Sequence, residues 1–178
     1  MTNKQRKTIY LIILLWGISL KANSIDSKFT IGIPSYVERV KMKDAFRIVD
    51  NGMATTICVD SSDWKGVIRA VDDLSDDIRK VSGVAARVIK TTFPSSSSIL
   101  VGTIGESKLI DKLIAEKRID VSEIQGQWES FQIQTVDGNL VVVGSDKRGT
   151  IYGIYDISEK IGVSPWYWWA DVPVKKNK

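Results

Sequence analysis

Five consecutive residues, Leu140-Val141-Val142-Val143-Gly144, are apolar on both faces of a strand. No other stretch constrains the fold as much, because a strand apolar on both sides belongs in the interior of a covered sheet. Before it, Phe131, Ile133 and Thr135 alternate with Gln132 and Gln134, and Asp137-Gly138 supplies a two-residue turn. Apolar alternation broken by Asp-Gly is the signature of a β-hairpin. The pattern predicts a hairpin whose second strand lies centrally in the sheet.

The rest of the chain builds outward from that hairpin. Ala45–Asp50 and Thr55–Asp60 are β-prone runs around Asn51-Gly52, which predicts a second hairpin. Asp63 is expected to cap a helix in which Val67, Val71, Leu74, Ile78 and Val81 form the apolar stripe, widened by Ile68, with Gly83 as left-handed cap. Asp72, Asp73, Asp76 and Asp77 fall on its opposite face, where a solvated surface explains them better than a cation site or an acid/base pair. Ala86–Lys90 reads as a strand and Thr91–Ser98, with Pro94 and four serines, as a surface loop. Ile99–Gly102 is a short buried strand leading to a helix with Leu109, Ile110, Leu113 and Ile114 on its apolar face. Between them, Gly102-Thr103-Ile104-Gly105 lacks the lysine and spacing of a P-loop and does not match a dinucleotide fingerprint, so an ordinary strand-to-helix turn is expected. A last helix starts at Ser145 or Asp146, uses Ile151, Ile154, Tyr155, Ile157 and Ile161 as core positions and stops at Gly162. Gly149 and Gly153 lie on one side of it and each costs about 1 kcal/mol of helix propensity, which close approach to the sheet would justify. The fold class expected is an α/β (α+β-like) sandwich: a mixed sheet packed by three helices, without internal repeats.

The first residues read as a targeting signal. Lys4, Arg6 and Lys7 precede an apolar run, Ile9–Leu20, that is short for a membrane span, and Ala22-Asn23-Ser24 offers a cleavage site. The expected organisation is a signal peptide (1–24), an arm (25–44), one α/β domain (45–165) and a linker start (166–178). The rival reading of the leader is an uncleaved anchor. After cleavage no stable membrane span remains, and the expected location is secreted or periplasmic. Four of the 25 basic residues (Lys4, Arg6, Lys7, Lys21) precede the cut and no acid does, which leaves 21 basic against 21 acidic residues. A neutral mature chain argues against nucleic acid as a partner. The single cysteine, Cys58, sits in an apolar strand and reads as a buried thiol. The chain has no histidine, which removes Ser–His–Asp and Cys–His catalysis and the commonest zinc sites. No metal or cofactor is predicted.

At the C-terminal end, Trp166-Tyr167-Trp168-Trp169 is followed by Ala170-Asp171-Val172-Pro173. Such a run needs a partner surface or a flat ligand to cover it. The stretch Gly144–Pro173, with Arg148-Gly149-Thr150-Ile151-Tyr152-Gly153 and Ser164-Pro165-Trp166-Tyr167-Trp168-Trp169-Ala170-Asp171-Val172-Pro173, resembles glycoside hydrolase family 115, the xylan α-1,2-glucuronidases. Asp63-Trp64-Lys65-Gly66-Val67 and Ile99-Leu100-Val101-Gly102-Thr103 are similar to the same N-terminal domain. The Arg-Gly-x-x-Tyr-Gly core recurs more loosely in N-terminal domains of hexosaminidases and of family 67 glucuronidases, whereas the tryptophan-rich tail is more specific.

The resemblance implies an accessory domain that precedes a (β/α)8 catalytic barrel. A barrel takes on the order of 250 residues, so the sequence reads as an N-terminal fragment and no catalytic residue is carried over. Its implied partner is that barrel, with xylan-derived oligosaccharide as a possible ligand. For Trp166, Trp168 and Trp169 two roles stand: stacking on a sugar, or an inter-domain seam, the latter favoured because consecutive residues of an extended segment face opposite sides. Asp171 would bind a sugar hydroxyl or cap the seam. Asp146 suits a helix N-terminus and Arg148 does not, so Arg148 needs a fixed partner, a structural carboxylate or a substrate uronate. Three functions follow: an accessory domain inactive alone, a stand-alone carbohydrate-binding module using Trp166–Trp169, or a residual two-carboxylate glycosidase. Uncovered tryptophans also predict self-association.

Overall fold

The computed structural model describes residues 36–38, 43, 45–170, 172–174 and 176, without the side chains of Trp168 and Trp169. The leader, most of the arm and Asp171 lie outside these residues, all of which belong to one compact unit, Pro34–Lys178.

Five strands form the main sheet: β3 (Ile57–Val59), β4 (Val88–Lys90), β5 (Ile99–Thr103), β6 (Phe131–Val136) and β7 (Asn139–Gly144). Their order is β4-β3-β5-β7-β6, with β6 alone antiparallel to its neighbour. A small hairpin, β1 (Val49–Asp50) and β2 (Met53–Ala54), precedes them. Three long helices, α1 (Lys65–Ser82), α2 (Lys108–Ala115) and α3 (Lys147–Ile161), and a single turn, α4 (Tyr167–Ala170), complete the elements among the described residues. The expected mixed sheet with three helices is therefore the observed one.

The strand period sorts the core into two layers. Ile57, Val59, Ile99, Val101 and Val142 face α1 and α3, while Cys58, Leu100, Val141 and Val143 face α2 and the Ile119–Ile124 segment. Each of these aliphatic side chains is almost wholly buried, and each contributes about 1.5–3 kcal/mol on leaving water. β7 is buried on both faces as its composition demands, but it lies between β5 and the edge strand β6 and not at the centre. β5 takes the central place.

Several local expectations change in the fold. The Asn51-Gly52 turn forms, with φ of 50° and 74°, yet it joins β1 to β2 and not to Thr55–Asp60. Ile57–Val59 instead pairs in parallel with β4 and β5, because three fully apolar residues gain more from the covered sheet than from a two-stranded ribbon. Asp77 is buried and paired with Lys80 at 2.7 Å, so the acidic face of α1 is not uniformly wet. Tyr155 is not a core residue. It is half exposed on the outer side of α3, and its hydroxyl donates to Asp73 at 3.0 Å. α1 ends in the expected left-handed Gly83, φ 85°.

α3 lies close on the sheet. A methyl group at Gly149 would fall 2.1 Å from the Ser130 carbonyl oxygen, and one at Gly153 3.0 Å from Val142. The two glycines thus give up helix propensity for close approach, Gly149 to the Ser130 backbone and Gly153 to the side chains of Val142 and Phe131.

Candidate functional site

β3, β5 and β7 finish side by side at Val59, Thr103 and Gly144, and the loops that follow lead into α1, α2 and α3. In open α/β sheets the crevice outside such carboxyl ends collects ligands, often anions held by helix N–H groups. Here the chain places its own carboxylates there. Asp60 accepts from the Ser62 N–H at 2.9 Å and from the Lys108 N–H, at the start of α2, at 2.8 Å. Asp63 accepts from the Trp64 N–H at 2.7 Å and from both the N–H and the hydroxyl of Thr103, at 2.8 and 2.9 Å. The sequence assigned Asp63 to cap α1. The cap position is Trp64, and the Asp63 carboxylate instead ties that loop to the end of β5.

The two acids titrate in opposite directions. Burial raises Asp60, but the N–H groups of Ser62 and Lys108 outweigh it and hold the acid below the usual carboxylate range. Burial dominates at Asp63 and, helped by the Asp60 charge, pushes it up despite its three donors.

Beside these acids is a cleft of about 270 Å³ lined by Trp64, Thr103, Glu106, Ser145, Asp146 and Lys147 among others. Lys147 Nζ stands 5.8 Å from the centroid of the half-exposed Trp64 ring. The fold engages much of its polar lining. Asp146 caps α3, accepting from Gly149 N–H at 2.8 Å and Glu129 N–H at 2.9 Å, and these bonds lower its pKa. Ser145 exchanges hydrogen bonds with the Ser130 backbone. Arg148 donates to Glu129 at 2.6 Å, so the fixed partner that its place in the first turn requires is a carboxylate of this chain.

The tryptophan-rich segment lies elsewhere. α3 runs back from the strand carboxyl ends, and its fifteen residues carry the chain about 22 Å before the segment begins. Asp146 and Arg148 therefore share no site with it. The backbone there is a helical turn and not extended, with the Ala170 N–H donating to the Trp166 carbonyl at 2.9 Å, so strand alternation does not decide which rings face which side. Trp166 is 65% exposed, while Tyr167 packs on the α1/α3 core with Lys80 Nζ 5.1 Å from its ring. Trp168 and Trp169 are placed only as backbone, and Asp171 is outside the described residues.

Sequence reading missed Asp60, Trp64 and Trp128. Trp128 is 88% exposed, between the Gly126 turn and Glu129, whose φ is 54°. A tryptophan among turn residues, with no periodic apolar neighbours, was the available signal. Among the described residues no group of three or more histidine, cysteine or acidic side chains could hold a metal ion, and no helix is long and apolar enough to cross a membrane.

Residues 39–157 match the family described as "Glycosyl hydrolase family 67 N-terminus" over more than half of the chain. The chain belongs to this family. The match contains β1 to β7 and most of α3, hence Asp60, Asp63, Asp146 and Arg148, and it ends ahead of Trp166. Two curated relatives from strains of Aspergillus fumigatus, both named "Probable alpha-glucuronidase A", are 27% identical over 100 residues, covering 56% of this chain and 11% of each relative. A solved structure of a family GH115 4-O-methyl-alpha-glucuronidase with specificity for decorated arabinogalactans is 41% identical, with a TM-score of 0.58. That match covers 69% of this chain and 15% of the other. The family 67 N-terminal domain described here thus spans about a tenth of the length of its curated relatives.

Proposed function

We propose that this chain is the N-terminal accessory domain of an exported α-glucuronidase-like glycoside hydrolase that acts on glucuronoxylan side chains, and that it is inactive alone. The family match over residues 39–157 carries this reading, supported by the similarity to a family GH115 enzyme. A two-carboxylate glycosidase needs acids free to meet a glycosidic bond across a pocket. At the sheet's carboxyl edge Asp60, Asp63 and Asp146 are all engaged by N–H or O–H donors of the fold. The reading is then that chemistry belongs to a catalytic barrel, and that Trp166 and its neighbours form the seam with it. Export rests on the basic residues and apolar run that open the sequence.

The exposed Trp166 also supports the second reading, a stand-alone carbohydrate-binding module. The test uses two polymers, 4-O-methylglucuronoxylan and a glucuronate-decorated arabinogalactan, the latter chosen for the specificity of the solved relative. No release of uronic acid from either is expected from the chain alone, and release from either overturns inactivity. Calorimetry with xylan oligosaccharides separates the remaining readings: heat that disappears in Trp166→Ala favours the binding module, and no heat favours the seam.

A further inference from the structure

The two edges of the sheet differ in kind. β4 is three residues long and ends in Lys90, a short and charged edge of the sort that discourages pairing. β6 is six residues, Phe131-Gln132-Ile133-Gln134-Thr135-Val136, without a charge or a proline, and no described strand lies beyond it. Asp137-Gly138 closes a two-residue turn, so Val136 and Asn139 form a hydrogen-bonded pair, and ladder alternation makes Gln134–Val141 and Gln132–Val143 the next ones. The N–H and C=O groups of Phe131, Ile133 and Thr135 consequently point out of the sheet.

We propose that β6 pairs antiparallel with β6 of a second copy about a two-fold axis at Ile133, joining two five-stranded sheets into one. Three observations favour a second copy as the occupant. First, the sequence is self-complementary in that register. Ile133 meets Ile133 of the second copy, Phe131 meets its Thr135, and about six main-chain hydrogen bonds form from the outward groups. Second, the Gln134 amide nitrogen is buried without a hydrogen-bond partner. Gln132 and Gln134 share the face opposite Ile133, and the pairing sets Gln134 against the second copy's Gln132, with β-carbons about 4.5–5.5 Å apart. Third, antiparallel pairing brings the Trp128 loop beside the second copy's Asp137-Gly138 turn. That covers an indole that is 88% exposed on a loop already fixed by Glu129–Arg148 and Glu129–Asp146 contacts. The Trp166 segment is a different part of the chain, with Tyr167 against the α1/α3 core and Lys80 beside its ring.

Sedimentation velocity of the full chain over a hundredfold concentration range tests this. The expected result is a reversible dimer. Thr135→Pro removes an outward N–H and leaves the bonds to β7 in place, so it should weaken the dimer at least about tenfold with an unchanged far-ultraviolet spectrum. Trp166→Ala should leave the dimer intact. Because Thr135→Pro could disturb the edge strand itself, the double variant Gln132→Cys/Gln134→Cys supplies a second reading. Mild oxidation should link it covalently to a second copy through two disulfides per dimer, each joining position 132 to position 134, since only this register sets those two positions against one another as non-hydrogen-bonded pairs. A chain that stays monomeric at every concentration overturns the proposal. So does a dimer lost in Trp166→Ala and kept in Thr135→Pro, or a folded double cysteine variant that forms no covalent dimer.

Discussion

Replacing Gly149 with alanine distinguishes propensity from packing by the sign of its effect. In a solvated helix the change is stabilising by about 1 kcal/mol, because alanine has less backbone freedom to lose. In this fold the added methyl would lie 2.1 Å from the Ser130 carbonyl oxygen, 2.9 Å from its carbon and 3.0 Å from its nitrogen. All three are main-chain atoms, so no rotamer relieves the contact. The Ser130 carbonyl also accepts from the Ser145 N–H at 2.9 Å and the Ser145 hydroxyl at 3.0 Å. Moving it away by about 1 Å costs roughly 1–3 kcal/mol of overpacking strain and about 1 kcal/mol or more for a weakened buried hydrogen bond. Set against the propensity gain, the net loss is about 1–3 kcal/mol. Urea unfolding followed by circular dichroism should show the midpoint fall by roughly 1 M, given a slope of about 1–3 kcal/mol per M. Gly153→Ala should cost less, because the nearest atoms, in Val142 and Phe131 at 3.0–3.2 Å, belong to side chains that can shift. A midpoint that stays constant or rises for Gly149→Ala would refute the close packing of α3 on the start of β6.

Two further outcomes are expected. The raised pKa of Asp63 means that the folded state holds its proton more tightly than the unfolded chain, so this group's stabilising contribution is complete below the unfolded value of about 3.9 and is lost as pH rises through the folded value. Asp60, held low, acts in reverse and loses its contribution as pH falls through its folded value. Asp63→Asn should therefore abolish the decline in unfolding free energy between about pH 4 and the folded Asp63 value while keeping the acid-side loss; an identical pH slope in variant and parent contradicts the assignment. Cys58, 1% exposed with its thiol pKa raised by burial, should resist alkylation at neutral pH and react in urea at the rate of unfolding. Rapid labelling of the folded chain would show that the strand opens locally.

The two-sided apolar run Leu140–Gly144 placed β7 inside the sheet, but only the parallel partner β5 and the antiparallel partner β6 fixed its position second from an edge. Likewise Asn51-Gly52 specified a turn and not the strand that closes it. Turn chemistry acts over a few residues, whereas the destination of Ile57–Val59 depends on which surface can bury all three side chains. Trp64 and Trp128 gave weak signals for the same reason: exposure is set by neighbours distant in sequence, and a single aromatic has no period.

By itself the sequence determined the five strands of the main sheet, the three long helices and their order, the close approach of the α3 glycines, a cap at Ser145 or Asp146 and the need of Arg148 for a partner, because each follows from local stereochemistry, burial period or the helix dipole. The tertiary structure alone decided that Asp60 and Asp63 tie together the loops at the strand ends beside the cleft, that Asp146 and Arg148 lie a helix length from the tryptophan segment, and that among the described residues β6 is left as a long uncharged edge. Those outcomes depend on contacts between residues far apart in the chain, such as Asp63 with Thr103, and no periodicity encodes which distant groups meet.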